Sequence, residues 1–586
     1  MYQKSNYDKF PSIAVDAQHD LCYCGWTDII AQLNRSISGL ETDRTKFLVI
    51  DCYNGVINLE VKTTLMQGLR YDKFFETTDM MLPAPQIYSF FKEDVTDDET
   101  FGYLTRYNID VYFDIRKTKE MCNELTRMDE GSIVVIYGVG AAYIAPKIDI
   151  LVYADMARWE IQMRYRRNEA WNVGLENREE RASLKYKRAF FTDWRILDRH
   201  KKRIIDRWDY VLDTNTQNNP KMTTGEAVRN TLKQAVSKPF RVVPFFDPGP
   251  WGGQWMKEVC DLDRDSVNFA WCFDCVPEEN SLLIKFSNVL FEIPSIDLVF
   301  YQPRQLLGEA VHGRFGDEFP IRFDFLDTMK GDNLSLQVHP LTEYIQEKFG
   351  MHYTQDESYY IMDAEPGALV FLGLKEKVDP ASMMDELEKS MESGTFDAER
   401  HVGKYPIKKH DHILIPAGTV HCSGKNSMVL EISATPYIFT FKMWDWGRLG
   451  LDGRPRPINI EHGLNSIQWD RTESWVKTNL LNRIKIISAC DGWREESTGL
   501  HEREFIETRR FWFTQKTNHY THNGVNVLNL VEGREVLVES PKQNFDPFVV
   551  HYAETFIVPA HVEAYSIRPY GESEGKECGI IKAFVR

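Results

Sequence analysis

Near residue 240 the texture of the chain changes, and this change limits the fold more than any other feature. Before it, β-like runs such as Phe-Leu-Val-Ile (47–50), Ile-Val-Val-Ile-Tyr (133–137) and Ile-Leu-Val-Tyr (150–153) alternate with charged helical stretches. That alternation predicts an α/β layer domain. After it, short apolar runs are broken by Pro, Gly, Asn and Asp, as in a sandwich or small barrel. A helical insert at 378–400 interrupts the β-rich half, and strand-like alternation over 530–539 and 552–560 reads as a second barrel. With 586 residues, a multidomain chain is expected: an α/β domain over 1–240, a β-barrel domain over 241–470 and a C-terminal barrel over 471–586.

Composition narrows the function classes. No apolar run approaches the roughly 18 residues of a bilayer span, and the first twenty residues lack the apolar stretch of a secretory signal, so a cytoplasmic protein is expected. Ten cysteines are too sparse for a disulfide framework. Cys272 and Cys275 form a CxxC, but they follow a strand-like run and read as strand rather than as a redox turn. With 70 basic and 87 acidic residues, the net charge of -17 repels nucleic acid and anionic membrane. A phosphate-bearing substrate must therefore meet a local positive cluster. The dense Arg, Glu and Lys run over 157–200 reads as the solvated face of long helices.

The first domain loosely resembles nucleoside and uridine kinases in Asp-Ile-Leu-Val-Tyr-Ala-Asp (149–155), which leads into an Arg-rich helix, and in Trp-Asp-Tyr-Val-Leu-Asp-Thr (208–214). Phosphoryl transfer of that kind needs GxxxxGK(S/T) to hold the nucleotide phosphates, and that motif does not occur. Gly-Val-Gly-Ala-Ala (138–142) is no substitute, so the resemblance implies a kinase-like shape with the P-loop lost.

The chemistry lies further on. In Gly-Asp-Asn-Leu-Ser-Leu-Gln-Val-His-Pro (331–340), Gln337 and His339 are two apart and project from one face of a strand. Alone, such a pair is more often a satisfied polar pair than a metal site. Glu357 opens the next strand, however, and His421 closes Ile-Leu-Ile-Pro-Ala-Gly-Thr-Val-His (413–421), a strand, turn and strand that can return to the same barrel mouth. One carboxylate, two imidazoles and a carbonyl leave a divalent ion about one net positive charge and room for substrate. One Zn2+ per chain is favoured, and oxygen-rich ligation also accepts iron, manganese or cobalt. His410, His412, His519 and His522 are read as structural.

These segments resemble class I mannose-6-phosphate isomerase, a metal-binding cupin family. The resemblance runs through Pro-Trp-Gly-Gly (250–253), Phe-Pro-Ile-Arg-Phe-Asp-Phe-Leu-Asp (319–327), the strand of Gln337 and His339, Glu-Ser-Tyr-Tyr-Ile (357–361), Pro-Ala-Gly-Thr-Val-His (416–421), Val-Leu-Glu-Ile (429–432) and Trp-Asp-Trp-Gly-Arg (444–448). It covers about residues 240–586 and implies an all-β bicupin. It also implies a phosphosugar substrate, with Gln337, His339, Glu357 and His421 as ligands and Ser335 near the phosphate. The implied reaction interconverts an aldose and a ketose phosphate through an enediol. The chain departs from the family at several points: Gln355 and Asp324 stand where lysines are usual, and Ser-Ala-Thr-Pro-Tyr-Ile-Phe-Thr-Phe-Lys (433–442) replaces an element ending in arginine, so that Lys442 takes its place. Lys lacks the planar fork of Arg. Lys442 and Arg448, with Arg454 and Arg456 nearby, become candidates for phosphate, and Lys442 and Glu431 for catalysis. A silent sugar-phosphate sensor and an isomerase or epimerase of another sugar stay open as alternatives.

Overall fold

The computed structural model describes residues 5–41, 43–434, 437, 439–499 and 504–586. The chain forms two compact units, one of Ser12–Gln234 with Ser281–Tyr301 and the other of Met1–Pro11 with Ala235–Asn280 and Gln302–Arg586.

The first unit is built on a seven-stranded sheet. Its strands are β1 (Cys22–Cys24), β2 (Lys46–Cys52), β3 (Lys73–Glu76), β4 (Ile133–Gly138), β5 (Ile150–Asp155), β6 (Tyr210–Asp213) and β7 (Lys221–Thr224), in the order β1-β7-β6-β5-β2-β4-β3. The five strands from β6 to β3 run parallel, while β7 and β1 close one edge antiparallel. Every residue of β2 and β5 is buried, because parallel strands are covered on both faces and read as continuous apolar runs. Helix Gly25–Ser38 supplies part of that cover with Ile29, Leu33 and Ile37, spaced four apart on one face. The chain leaves β2 towards β3 on one side, returns to β4, and then crosses to β5 on the other, which makes β2 the point where the strand order reverses.

Two expectations need correction here. Ser281–Tyr301 does not belong with the β-rich half: Ser281–Phe286 pairs parallel with Ser12–Ala14 and antiparallel with Val289–Pro294, and Glu292 N donates to Asp213 Oδ2 at 3.0 Å. A single boundary at 240 misses this excursion, because an alternating apolar run looks the same whichever sheet it joins. The charged run over 157–200 is solvated only in part: Arg166, Arg167, Glu176, Arg178, Glu179 and Arg181 are exposed, but much of its charge is not. Arg158, Arg164, Lys185, Lys187, Arg188, Asp193, Asp198 and His200 are all buried. Arg158 Nη2 lies 2.5 Å from Asp198 Oδ2, and Arg164 donates to the carbonyls of Gly55, Thr214 and Asn215.

Just beyond that run, Lys201 is 1% exposed and donates to Asp155 at 2.8 Å and to Asp297 at 2.9 Å. Removing one partner of a buried ion pair strands the other charge, at a cost of about 3–5 kcal/mol. Lys201→Met is expected to destabilise the first unit by that amount, read from urea unfolding of the full chain. A loss below about 1 kcal/mol would mean that the carboxylates reach water.

The second unit contains two β-structures. The first has strands β8 (Phe245–Asp247), β9 (Trp271–Cys275), β10 (Arg322–Asp327), β11 (Leu336–Val338), β12 (Glu357–Ala364), β13 (Leu369–Leu374), β14 (Val402–Pro406), β15 (His412–Ile415), β16 (His421–Ser423), β17 (Ser427–Ser433) and β18 (Phe441–Trp444). They form two antiparallel sheets, β15-β12-β17-β10-β9-β8 and β14-β13-β16-β11-β18. Between β13 and β14 lies helix Pro380–Ser393, started by the Asp379 side chain accepting from Ala381 N and ended at Gly394 in the left-handed region. Cys272 and Cys275 lie buried on β9, and burial raises both thiols well above their ordinary range. The second β-structure, over Lys485–Val585, pairs a six-stranded with a four-stranded sheet around Phe511, Leu528, Val536, Phe556 and Ile580.

Candidate metal centre

The two sheets of the first β-structure bring separate sequence segments together through strand register. On one sheet, Glu357 of β12 stands opposite Ser433 of β17, which stands opposite Arg322 of β10, and Tyr359, Glu431 and Asp324 form the next row. Alternation puts both rows on one face. On the other sheet, Gln337 of β11 is paired with His421 of β16 and with Lys442 of β18. His339 lies just past the end of β11.

The turn that delivers His421 is held from several sides. Gly418 has φ +86°, and a Cβ there would meet Gln468 and Leu341 at 2.7 and 2.9 Å, so a side chain is excluded. Its amide donates to His339 O at 2.9 Å, tying the turn to the other histidine. Buried Arg471 donates to the carbonyls of Pro416 and Ala417 at 2.8 and 2.6 Å.

His339, Glu357 and His421 converge. Their side chains are fully buried, with His339 Nε2 3.0 Å from Glu357 Oε2 and His421 Nε2 2.7 Å from Glu357 Oε1. Among the described residues this is the one cluster of three or more such side chains with donor atoms close enough for a shared cation. The outer nitrogens are engaged elsewhere: His339 Nδ1 lies 2.8 Å from Phe439 O, and His421 Nδ1 lies 2.8 Å from Thr419 O. A carbonyl only accepts, so each Nδ1 carries the proton and each Nε2 turns its lone pair inward. Gln337 adds its amide 3.2 Å from His421 Nε2, and a half-turn of that amide presents its oxygen instead.

Fit to a metal is tested by the buried atoms: His339 Nε2 and Glu357 Oε1 have no hydrogen-bond partner. Buried polar atoms are seldom left so, and two lone-pair donors aimed at one carboxylate are what a divalent ion satisfies. Burial disfavours both charges, yet Glu357 is held well below the ordinary carboxylate range by the two imidazoles, and His339 above its own by Glu357.

Three groups named in the sequence, Gln355, Asp324 and Glu431, stand around this centre, and the structure supplies the contacts among them. Gln355 Nε2 reaches Glu357 at 3.2 Å and Glu431 at 3.4 Å, while its carbonyl accepts from Phe439 N at 3.0 Å. Asp324 is paired with Arg322 at 2.8 Å, and burial still lifts its carboxyl to about 6. Glu431 is pushed well above the carboxylate range by burial and by its neighbours Glu357 and Asp324.

Beyond Gln337 lies a cationic cluster. Asp445 accepts from Arg448 and Arg456, both at 2.8 Å, and from Ser335 Oγ at 3.0 Å, and Arg456 also donates to Ser335. Arg448 also reaches Asp332 at 3.4 Å, so two guanidiniums and Lys442 stand against two carboxylates and leave this end positive. Half-buried Lys442 has no ion-pair partner among the described residues, and burial and Arg456 pull its ammonium down to about 8. Arg448 is committed to Asp445 and the Asn333 carbonyl, and Arg454 stays exposed. Of the replaced element at 433–442, Thr435, Pro436 and Ile438 lie outside the described residues. His412 is buried and kept neutral, its value lowered to about 3 by burial and Arg510. His519 packs on Tyr565 and Phe511.

Fold and site together define a cupin with a candidate His-Glu-His metal centre. Residues 25–237 match a family described as a domain of unknown function (DUF8485). The chain is 25% identical over 245 residues to the mannose-6-phosphate isomerase of Streptococcus mutans, covering 41% of this chain and 72% of that one. It is 30% identical over 234 residues to the probable mannose-6-phosphate isomerase GmuF of Bacillus subtilis, covering 40% of this chain and 69% of that one. A crystal structure of the Bacillus subtilis mannose 6-phosphate isomerase aligns at TM-score 0.48 and 20% identity, over 59% of this chain and 99% of that one. The chain belongs to the mannose-6-phosphate isomerase family.

Proposed function

We propose that this protein is a metal-dependent isomerase that interconverts mannose 6-phosphate and fructose 6-phosphate by moving a proton between C2 and C1 through an enediol. The observation that carries the proposal is the convergence of His339, Glu357 and His421, with inward-facing Nε2 atoms, beside a cationic cluster. When bound by these residues and Gln337, a divalent ion supplies positive charge that stabilises an enediolate. Zinc is the ion the donor set favours.

The chain's own residues do the rest. Glu431 faces the same interior as Glu357 and is the base that lifts the carbon-bound proton and returns it to the neighbouring carbon. Gln355 fixes its position by hydrogen-bonding both carboxylates. Gln337 is 6% exposed whereas the other ligands are sealed, so the sugar approaches from the Gln337 and Lys442 side, with its phosphate on Lys442 and Ser335. Arg448 and Arg456 act there through Asp445.

The test is purified full chain with zinc, mannose 6-phosphate and coupled detection of fructose 6-phosphate. Turnover abolished by chelation and restored by metal is expected. Turnover indifferent to chelation overturns the metal role, and no turnover with metal bound leaves a sugar-phosphate sensor. Lys442→Met is expected to raise KM about 10- to 100-fold, the worth of one charge-assisted hydrogen bond. Lys442 is a cation below about 8 and neutral above it, so wild-type KM should climb as pH rises through that value. Lys442→Arg, which stays charged, should lack the climb.

For the first unit we propose kinase-like architecture without phosphoryl transfer: the helix after β2 begins at Asn58, and no phosphate-cradling motif leads into it. A cytoplasmic setting suits ten free thiols.

A further inference from the structure

We propose that the first unit carries a binding site for a neutral, polyhydroxylated small molecule of monosaccharide size, beyond the C-terminal ends of β2, β3 and β4. In open α/β sheets, ligands settle outside the carboxyl ends of the strands where the strand order reverses. Here that place holds a cavity of about 120 Å³.

Glycines let the crevice walls pack closely. Gly138, at the end of β4, has φ +124°, and a Cβ there would stand 2.3 Å from Thr77 Oγ1; at Gly55, φ +94°, it would stand 2.8 Å from Ile161 Cγ1. Thr77 lines the cavity and is fully buried, and its hydroxyl has no hydrogen-bond partner. A buried hydroxyl left unmatched points to a ligand that supplies the missing bond.

Lining chemistry selects the ligand. Asn54, Asn58, Thr78 and Glu169 surround the cavity with hydrogen-bonding groups, and Trp171 adds an apolar ring. Few placed polar groups on an aromatic wall suit a small ligand that needs orienting. The charges are already matched: Lys62 pairs with Glu76 and Arg167 with Glu169. Glu76 and Glu169 line the cavity and, among the described residues, no Lys or Arg does, while Arg178 is stacked on the Trp171 ring, so phosphate esters are disfavoured.

Two carboxylates at neighbouring strand ends are held by protein partners and do not line the cavity. Asp51 accepts from the amides of Gly140 and Ala142 at 3.2 and 2.8 Å and lies 2.8 Å from His200 Nε2. Asp155 is held by Lys201. This proposal is independent of the reaction assigned to the cupin.

Saturation-transfer difference NMR on the full-length chain tests it, with D-mannose, D-fructose and D-glucose as probes. The His339→Ala/His421→Ala background removes the cupin site. Transfer from at least one hexose should persist there, weaken about tenfold in affinity with Thr77→Val, and vanish with Thr78→Trp at the exposed rim. Transfer that disappears in the double-alanine background, survives Thr78→Trp, is displaced by inorganic phosphate, or is absent for all three hexoses at millimolar concentration overturns the proposal.

Discussion

Alanine at His339 is expected to empty the metal centre and to cut kcat/KM for mannose 6-phosphate by about 10³ or more. Lewis-acid stabilisation of a developing oxyanion is worth several kcal/mol, and each 1.4 kcal/mol is a factor of ten. His339 offers no slack, because its Nδ1 is fixed on the Phe439 carbonyl and its Nε2 lies 3.0 Å from Glu357. Gln355, beside this pair, is itself bound to Glu357, Glu431 and the Phe439 amide. Gln337→Ala should fall less, about 10- to 100-fold, as expected for a group that tunes the site. Elemental analysis and the coupled assay together decide the matter. Full metal content with unchanged turnover in His339→Ala would remove these residues from the reaction.

How much of this was readable beforehand depends on the range of the interaction concerned. Gln337 and His339 were legible because a period of two is local, and Glu357 and His421 because one opens and the other closes a recognisable strand segment. Glu431 was legible as a candidate acid or base, but its alignment in one row with Asp324 and Tyr359 was not, since that depends on register between strands distant in sequence. Neither was the bridging role of Gln355, which as a sequence position showed only the absence of a lysine. In the first unit the charged run over 157–200 was misread for a related reason: composition records charge but not its partner. Lys201 is buried only because Asp155 and Asp297 meet it from elements 46 and 96 residues away. Asp297 belongs to the excursion over Ser281–Tyr301, so the two errors share one cause.

Glu431→Gln is expected to lower kcat by about 10²–10⁴, the usual contribution of a positioned general base, while metal content stays full. The substitution keeps the shape of the side chain and its contact with Gln355, so a loss of rate is a loss of proton transfer. Burial first, and then the negative charge of Glu357 and Asp324, raise the Glu431 carboxyl well above its ordinary range. A base works only when ionised, so wild-type kcat/KM should fall as pH drops through that raised value, an acid limb lying above that of a free carboxylate. In Glu431→Gln the limb should disappear together with the rate. Stability provides the control. A carboxyl whose folded value is raised favours folding most when protonated and loses that advantage as pH rises through it. At neutral pH the glutamine variant should therefore be as stable as wild type or more so. A variant that keeps wild-type kcat at neutral pH would show that Glu431 is not the base and would move proton transfer to Lys442, whose value of about 8 lies near neutrality.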